Sequence, residues 1–369
     1  MNNNRAATAT TLGAVTIFGL TYGLTAPLVS LRLSAAGYSE TLIGLNAAMH
    51  AVGVFAIAPF LPKLCRAWPP KTLLVTALVA IFVLLALFPL TPLAGWFALR
   101  LLLGVFSEIV LVVTETWLNH TSVEHARAKT MAWYTASLSL GFALGPFLLL
   151  ASSGLTPFFS GALLAAGVLL SRRYSRKPLA QEENRALWHY LFLAPLAMAA
   201  TMLNAALEAA GMNLLTIYAV NLGWSEKAAT ALLSVLMLGT IVLQLPVGWL
   251  ADRVDRGRLI TLFAALSTAG ALVWPFALAA APLAWVLMFF WGGAFVAIYT
   301  LVITRVGEQF SGATLAGIYA AMSVMWGLGA LLGPSLGGLA MSFGRDGLPW
   351  LAALLCGAFT VYAWRADRR

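Results

Sequence analysis

Apolar runs of about the length needed to cross a bilayer recur from one end of the chain to the other, parted by short polar breaks. A spanning helix takes about 20 mainly apolar residues, and twelve segments qualify: 10–33, 40–61, 71–91, 94–118, 129–152, 155–171, 188–219, 227–250, 258–279, 282–304, 313–342 and 347–364. Lipid offers the backbone no hydrogen-bond partners, so each run must satisfy its own amides and carbonyls as a helix. The runs are too long, and alternate too little, for barrel strands. The pattern predicts an all-α membrane protein with twelve transmembrane helices.

The most hydrophilic break, SRRYSRKPLAQEENR over 171–185, follows the sixth run. It divides the chain into an N-terminal six-helix bundle (1–171), a basic linker (172–187) and a C-terminal six-helix bundle (188–369). The halves repeat one another. Gly37-Tyr38-Ser39-Glu40 opens the second run and Gly223-Trp224-Ser225-Glu226 the eighth. In both, glycine can end one helix, serine can cap the next, and glutamate meets its positive end. Pro92-Leu93-Ala94 recurs as Pro282-Leu283-Ala284. Gly141, Gly145 and Pro146 in the fifth run recur as Gly329, Gly333 and Pro334 in the eleventh. Small residues let helices approach closely and proline allows a kink, so both sets are expected to pack helices. Two pseudo-symmetric bundles follow.

Composition agrees: 61% hydrophobic and 9% charged, against about 45–50% and about 25% in soluble domains. A net charge of +9 would fit nucleic acid, but its distribution fits topology better. With a cytoplasmic N-terminus, all but four of the 22 Lys and Arg residues fall on the cytoplasmic side; Arg32, Lys227 and Arg345 lie opposite, and Arg100 lies within the membrane. That asymmetry places both termini in the cytoplasm. The first run has no evident cleavage site and is expected to be a retained helix.

Charges at membrane depth usually face a cavity or a partner. The fourth run carries Arg100, Glu108 and Glu115. The two acids are seven residues apart, on one face and about 10 Å from each other along the axis. Arg100 is rotated from Glu108 by about 80°, too far for an intrahelical pair, and needs water, an anion, a carbonyl or another partner. The seventh run carries Glu208, with Asn204 four residues before it on the same face and Asn213 beyond. Tyr22 and Thr25 lie at similar depth in the first run, and His50 is the histidine within the second. A neutral histidine bonded to a carbonyl and a proton relay remain alternatives for His50.

After the eighth run the chain reads Gly248-Trp-Leu-Ala-Asp252-Arg253-Val-Asp255-Arg256-Gly257-Arg258. Asp252 among arginines can accept charge-assisted hydrogen bonds and latch a helix end. This loop resembles the signature of the major facilitator superfamily. Arg100-x-x-x-Gly104, Gly141-x-x-x-Gly145-Pro146, the duplication and the basic central loop extend the resemblance over the whole chain, and the fourth-run pattern ending in Glu115 is most similar to the YcaD-like branch. The resemblance implies the twelve-helix fold and a site at the repeat interface near the midplane. It implies that Arg100 takes part in proton coupling, that Arg253, Arg256 and Arg258 belong to a gating loop with Asp252, and that the fifth-run glycines lean towards antiport. Glu108 has no counterpart in that pattern. The first copy of the loop, 58–71, lacks the aspartate; Lys63 or Cys65 stands near its place.

Other motifs lead nowhere. Asn119-His120-Thr121 is a glycosylation sequon on the expected cytoplasmic side, and the histidines of 120–125 lack metal-site spacing. No glycine-rich phosphate loop is present, so ATP-driven pumping has no support in the sequence, and neither cofactor nor metal is expected. Trp133, Tyr134, Trp291, Tyr299, Tyr319 and Trp326 can line a cavity or pack helices. The expected protein is a monomeric bacterial inner-membrane transporter, its partners being lipid, protons and a small organic solute, not nucleic acid. Alternating access with proton coupling through Glu108 or Glu208, helped by Arg100, leans to export by antiport; symport import and uniport are the alternatives. An enzyme would need a nucleophile or metal set, and a channel has no need of gating loops.

Overall fold

The computed structural model describes residues 2–121, 124–151, 187–251, 253–310 and 312–368, and every regular element among them is helical. The first part holds α1 (Asn2–Ala35), α2 (Glu40–Ile57), α3 (Leu61–Ala67), α4 (Pro70–Leu87), α5 (Trp96–Thr121) and α6 (Glu124–Ala151). The second holds α7 (Leu187–Leu193), α8 (Pro195–Asn221), α9 (Glu226–Val242), α10 (Gln244–Ala251), α11 (Arg256–Ala279), α12 (Ala281–Gln309), α13 (Gly312–Phe343) and α14 (Gly347–Asp367). Ten stretches are long and apolar enough to cross a membrane, and they coincide with predicted spans one to four and seven to twelve. Of the fifth, 136–151 forms a shorter apolar helix; the sixth, at 155–171, lies outside the described residues. This is a multi-pass membrane protein.

Two predicted spans are interrupted. The seventh breaks at Ala194, and α8 begins with Pro195, whose missing N–H costs nothing in a first turn. The eighth breaks at Leu243 between α9 and α10. Pro246 cannot donate to the carbonyl of Val242, and beside the break the Gln244 side chain donates to the Thr240 carbonyl and accepts from the Thr300 hydroxyl.

The two glycine turns are the same structure built twice. Gly37 and Gly223 have φ of 83° and 94°, the positive values among the described residues. The amide of Tyr38 bonds to the Leu33 carbonyl and that of Trp224 to the Ala219 carbonyl, both at 3.1 Å, the long-range bond of a left-handed helix cap. The Ser39 and Ser225 hydroxyls then accept from the amides of Leu42 and Ala228. These turns fix the depth of every residue counted from them.

By contacts the chain divides into two compact units, Met1–Val29 with Met49–Glu182, and Ser30–Ala48 with Glu183–Arg369. In the first unit α1 and α6 interlock through Gly19, Gly23, Gly141 and Gly145; a Cβ on any of the four would strike the other helix's backbone. α2 and α5 cross in the same way, Gly53 against Leu101 and Gly104 against His50. In the second unit Gly329 and Gly333 of α13 seat against Met202 and Ala206 of α8, while Gly239 and Gly292 join α9 to α12. The start of α2 belongs here too, Gly44 lying against Pro334 and Gly338.

Candidate functional site

In the first unit the crossing of α2 and α5 assembles a polar cluster. Because Gly104 has no side chain, α5 lies directly on the backbone of His50. One turn before Gly104, Arg100 is carried into the interior, where it is 1% exposed, within electrostatic reach of His50 and Tyr22. Tyr22 meets His50 edge-on, ring centroids 4.9 Å apart, and Phe142 at 5.7 Å; Phe18 closes the group against Phe142 at 6.1 Å. Tyr22 and His50 are half-buried. Arg100 thus stands in a cluster that joins α1, α2 and α5. The crossing depends on Gly53 and Gly104 each meeting the other helix's backbone, a pairing that neither helix discloses by itself.

Further along α5, Glu108 is half-buried and Glu115 is exposed. Neither forms an ion pair among the described residues. The side chains of 119–132, including His120, His125, Arg127 and Lys129, lie outside what the structure describes.

In the second unit the site residues stand on α8. Asn204 is 5% exposed and donates a long hydrogen bond, 3.5 Å, to Glu208 Oε2. Glu208 is half-buried, and among the described residues no cation lies within ion-pair distance of it. The Asn204 Oδ1 atom is buried and accepts no hydrogen bond among those residues. Asn213, in contrast, turns back on its own helix, donating to the Ala209 carbonyl at 2.8 Å.

In the gating loop Asp252 lies outside the described residues. Arg253 stacks on Trp249, its guanidinium carbon 3.5 Å from the ring centroid. Arg256 forms an ion pair with Glu308 at the end of α12, a partner fifty positions away that the loop alone could not disclose. Asp255 caps α11 by accepting from the amide of Arg258 at 3.0 Å. In the first copy of the loop, Lys63 is exposed and Cys65 buried. Trp291 is a packing residue: it meets Trp274 at 4.6 Å and donates to the Ser267 carbonyl. Among the described residues no group of three or more His, Cys, Asp or Glu could hold a metal ion.

Known proteins bear on this arrangement at two levels. The family model of the Major Facilitator Superfamily matches residues 11–306 and 196–369. The chain is 29% identical over 341 residues to the MFS-type transporter YfkF of Bacillus subtilis (strain 168), covering 88% of this chain and 86% of that one. It is 24% identical over 266 residues to the MFS-type transporter YcaD of Salmonella arizonae, covering 70% and 68%. Among solved structures, the D-xylose-proton symporter aligns with a TM-score of 0.79 at 15% identity over 97% of each chain. The nucleoside transporter NupG aligns with a TM-score of 0.75 at 15% identity over 99% and 98%. With the glycine-built helix crossings and the family model both spanning the chain, this protein belongs to the Major Facilitator Superfamily of transporters.

Proposed function

We propose that this protein is a proton-coupled secondary transporter of a small organic solute, working by alternating access and exporting by proton antiport. The observation that carries the reading is Glu208, a carboxyl in the middle of a spanning helix whose neighbour among the described residues is an amide and not a cation. An acid held at membrane depth without a counter-charge is suited to alternate between a neutral and a charged state. Glu108 is the second candidate for that proton. Arg100 supports coupling from within the Tyr22–His50 cluster, and Glu115, lying towards the end of α5, serves access to it. The moving bodies are the bundles 1–171 and 188–369, joined by the basic linker 172–187. The loop at Asp252, Arg253, Arg256 and Arg258 acts as the gate.

The positive-inside distribution of Lys and Arg supports a bacterial inner-membrane location with both termini in the cytoplasm. The working unit is a monomer whose partners are lipid, protons and the solute. Symport is the second reading, favoured by the D-xylose-proton symporter, whose fold is shared. Reconstituted flux measured under imposed pH gradients of either sign tests both. Antiport predicts solute movement opposite to the proton gradient, and symport predicts movement along it. If the Glu108→Gln, Glu208→Gln double variant still couples flux to protons, the proposed mechanism is wrong. Asp252→Ala should alter both transport rate and cytoplasmic accessibility; no change in either removes the gate.

A further inference from the structure

The face of α8 that carries Asn204 and Glu208 has a chemistry of its own. Positions 204, 208 and 211 share one side of the helix, and it is turned away from Met202 and Ala206, whose backbones seat on Gly329 and Gly333. Gly211 continues the polar side, and a Cβ built there would meet nothing within 4 Å. So the helix presents a notch beside the carboxyl. Glu208 stands one turn before Gly211, and one turn before Glu208 is a second oxygen acceptor, the buried Asn204 Oδ1 that accepts no hydrogen bond among the described residues.

A buried acceptor left without a donor is unfavourable, and a carboxylate at membrane depth calls for a positive partner. A ligand that met both needs would bring N–H donors and a positive charge together. A bare metal ion fits poorly. Hard cations take six or more oxygen ligands, and no suitable side-chain group stands among the described residues. An ammonium group fits well, because it carries three donors and one charge. Neutral hydroxyls would satisfy Asn204 but leave the carboxylate uncompensated, and a carboxylate ligand would repel it.

We propose that Glu208 and Asn204 bind the ammonium group of a small organic amine, with its carbon skeleton entering the space beside Gly211. The proposal rests on the transporter reading above and names its substrate class: a protonated primary or secondary amine. Charge-assisted hydrogen bonds to Glu208 supply most of the affinity, and the bond to Asn204 Oδ1 distinguishes an N–H donor from a quaternary ammonium.

The test is ligand-induced thermal stabilisation of the purified protein in lipid nanodiscs. The probes are butylamine, benzylamine and tryptamine, each beside its matched alcohol and carboxylate, together with benzyltrimethylammonium. The expected result is a rise in unfolding midpoint with at least one amine, and none with its alcohol or carboxylate. The quaternary compound should bind about tenfold more weakly than benzylamine, the equivalent of one charge-assisted hydrogen bond. Glu208→Gln should abolish the amine effect, Asn204→Leu should weaken it about tenfold, and Gly211→Leu should block it without touching a charge. Glu226→Gln, at the exposed start of α9, should leave it unchanged. If Glu208→Gln does not fold, Asn204→Leu and Gly211→Leu decide the matter. Stabilisation by no amine, equal stabilisation by the alcohol or carboxylate, or an amine effect that survives these substitutions would overturn the proposal. Proton-driven flux in proteoliposomes separates the two readings. Flux without amine binding removes only the amine, and amine binding without flux removes only the proton coupling.

Discussion

Tyr22 and Glu208 occupy equivalent positions, each fifteen residues before the left-handed glycine that ends its helix, Gly37 and Gly223 respectively. The repeat has therefore placed a phenol and a carboxyl at the same distance from the turn that follows each helix. The phenol lies against the His50 ring, whereas the carboxyl has an amide for company. His50 itself corresponds to Leu236, so the α9 side of the second unit offers no counterpart to the imidazole.

From this asymmetry comes the first prediction. Glu208→Gln keeps the shape of the side chain and an acceptor for Asn204, so stability should change by no more than about 1 kcal/mol, the net worth of an ordinary hydrogen bond. Flux driven by a pH gradient should nevertheless fall by about tenfold or more, since the group that changes charge is gone. Thermal unfolding and proteoliposome flux on the same preparation check both halves of the statement. A stable variant with undiminished coupling contradicts it.

Arg100 gives a prediction of the opposite kind. Its guanidinium is buried and spreads five donors over a fixed plane, which a lysine ammonium cannot reproduce. Arg100→Lys should destabilise by about 1.5–3 kcal/mol, the range for a hydrogen bond to a charged group. His50→Ala should cost a further 0.5–1.5 kcal/mol, roughly the worth of an aromatic pair. Because both residues serve one cluster, the double variant should cost less than the sum. Unfolding midpoints of the two single variants and the double variant test this, and strict additivity would show that the residues act separately.

Much of the fold was legible because membrane segments announce themselves by composition and length. The turn glycines, the capping serines and the paired glycine–proline motifs were also visible, since a duplication presents each local signal twice. Breaks at Ala194 and Leu243 were missed although Pro195 and Pro246 mark them; a long apolar run masked the local cue. The site was legible only as separate residues. Which side chain faces Arg100 depends on how α2 crosses α5, and that depends on Gly53 and Gly104 meeting the opposite backbones. Gly53 does have a readable sign: it and Gly239 both stand sixteen residues after their turn glycines. The pairing of Arg256 with Glu308 joins the start of one helix to the end of the next, and no local pattern encodes it.

The interlocked glycines predict a sharp contrast between positions of one residue type. Gly145→Ala would press a methyl group onto the backbone of Gly23 and Leu24 in α1, and Gly333→Ala onto Ala206 in α8. Overpacking of this kind costs about 1–3 kcal/mol. Gly13→Ala meets nothing within 4 Å and should stabilise its helix by up to about 1 kcal/mol. Fluorescence-detected size exclusion after a heat step ranks the three variants, and equal behaviour would mean that close approach is not what these glycines provide.

The last prediction concerns the contact between α2 and α13. Gly44 and Gly338 face each other so closely that a Cβ on either would strike the other helix's backbone, at Pro334 or Glu40. Beside them Asn221 donates to Glu40 at 3.3 Å, so the first turn of α2 is held to α13 by shape and to α8 by one exposed hydrogen bond. Such a bond contributes little; shape should dominate. Gly338→Leu should therefore part the helices even with Glu40 and Asn221 intact. A loss of about 1–3 kcal/mol from overpacking corresponds to a shift of roughly 5- to 160-fold in the ratio of packed to parted helices. Thiol labelling of an Ala47→Cys probe, buried in α2 one turn after Gly44, reads that shift with Glu40 and Asn221 in place, and its rate should rise by about tenfold or more in the Gly338→Leu background. Gly344→Ala, at a position where a Cβ meets nothing within 4 Å, should leave the rate as it was. If Glu40→Gln accelerates labelling as much as Gly338→Leu does, the exposed hydrogen bond and not the glycine contact is what holds α2 in place.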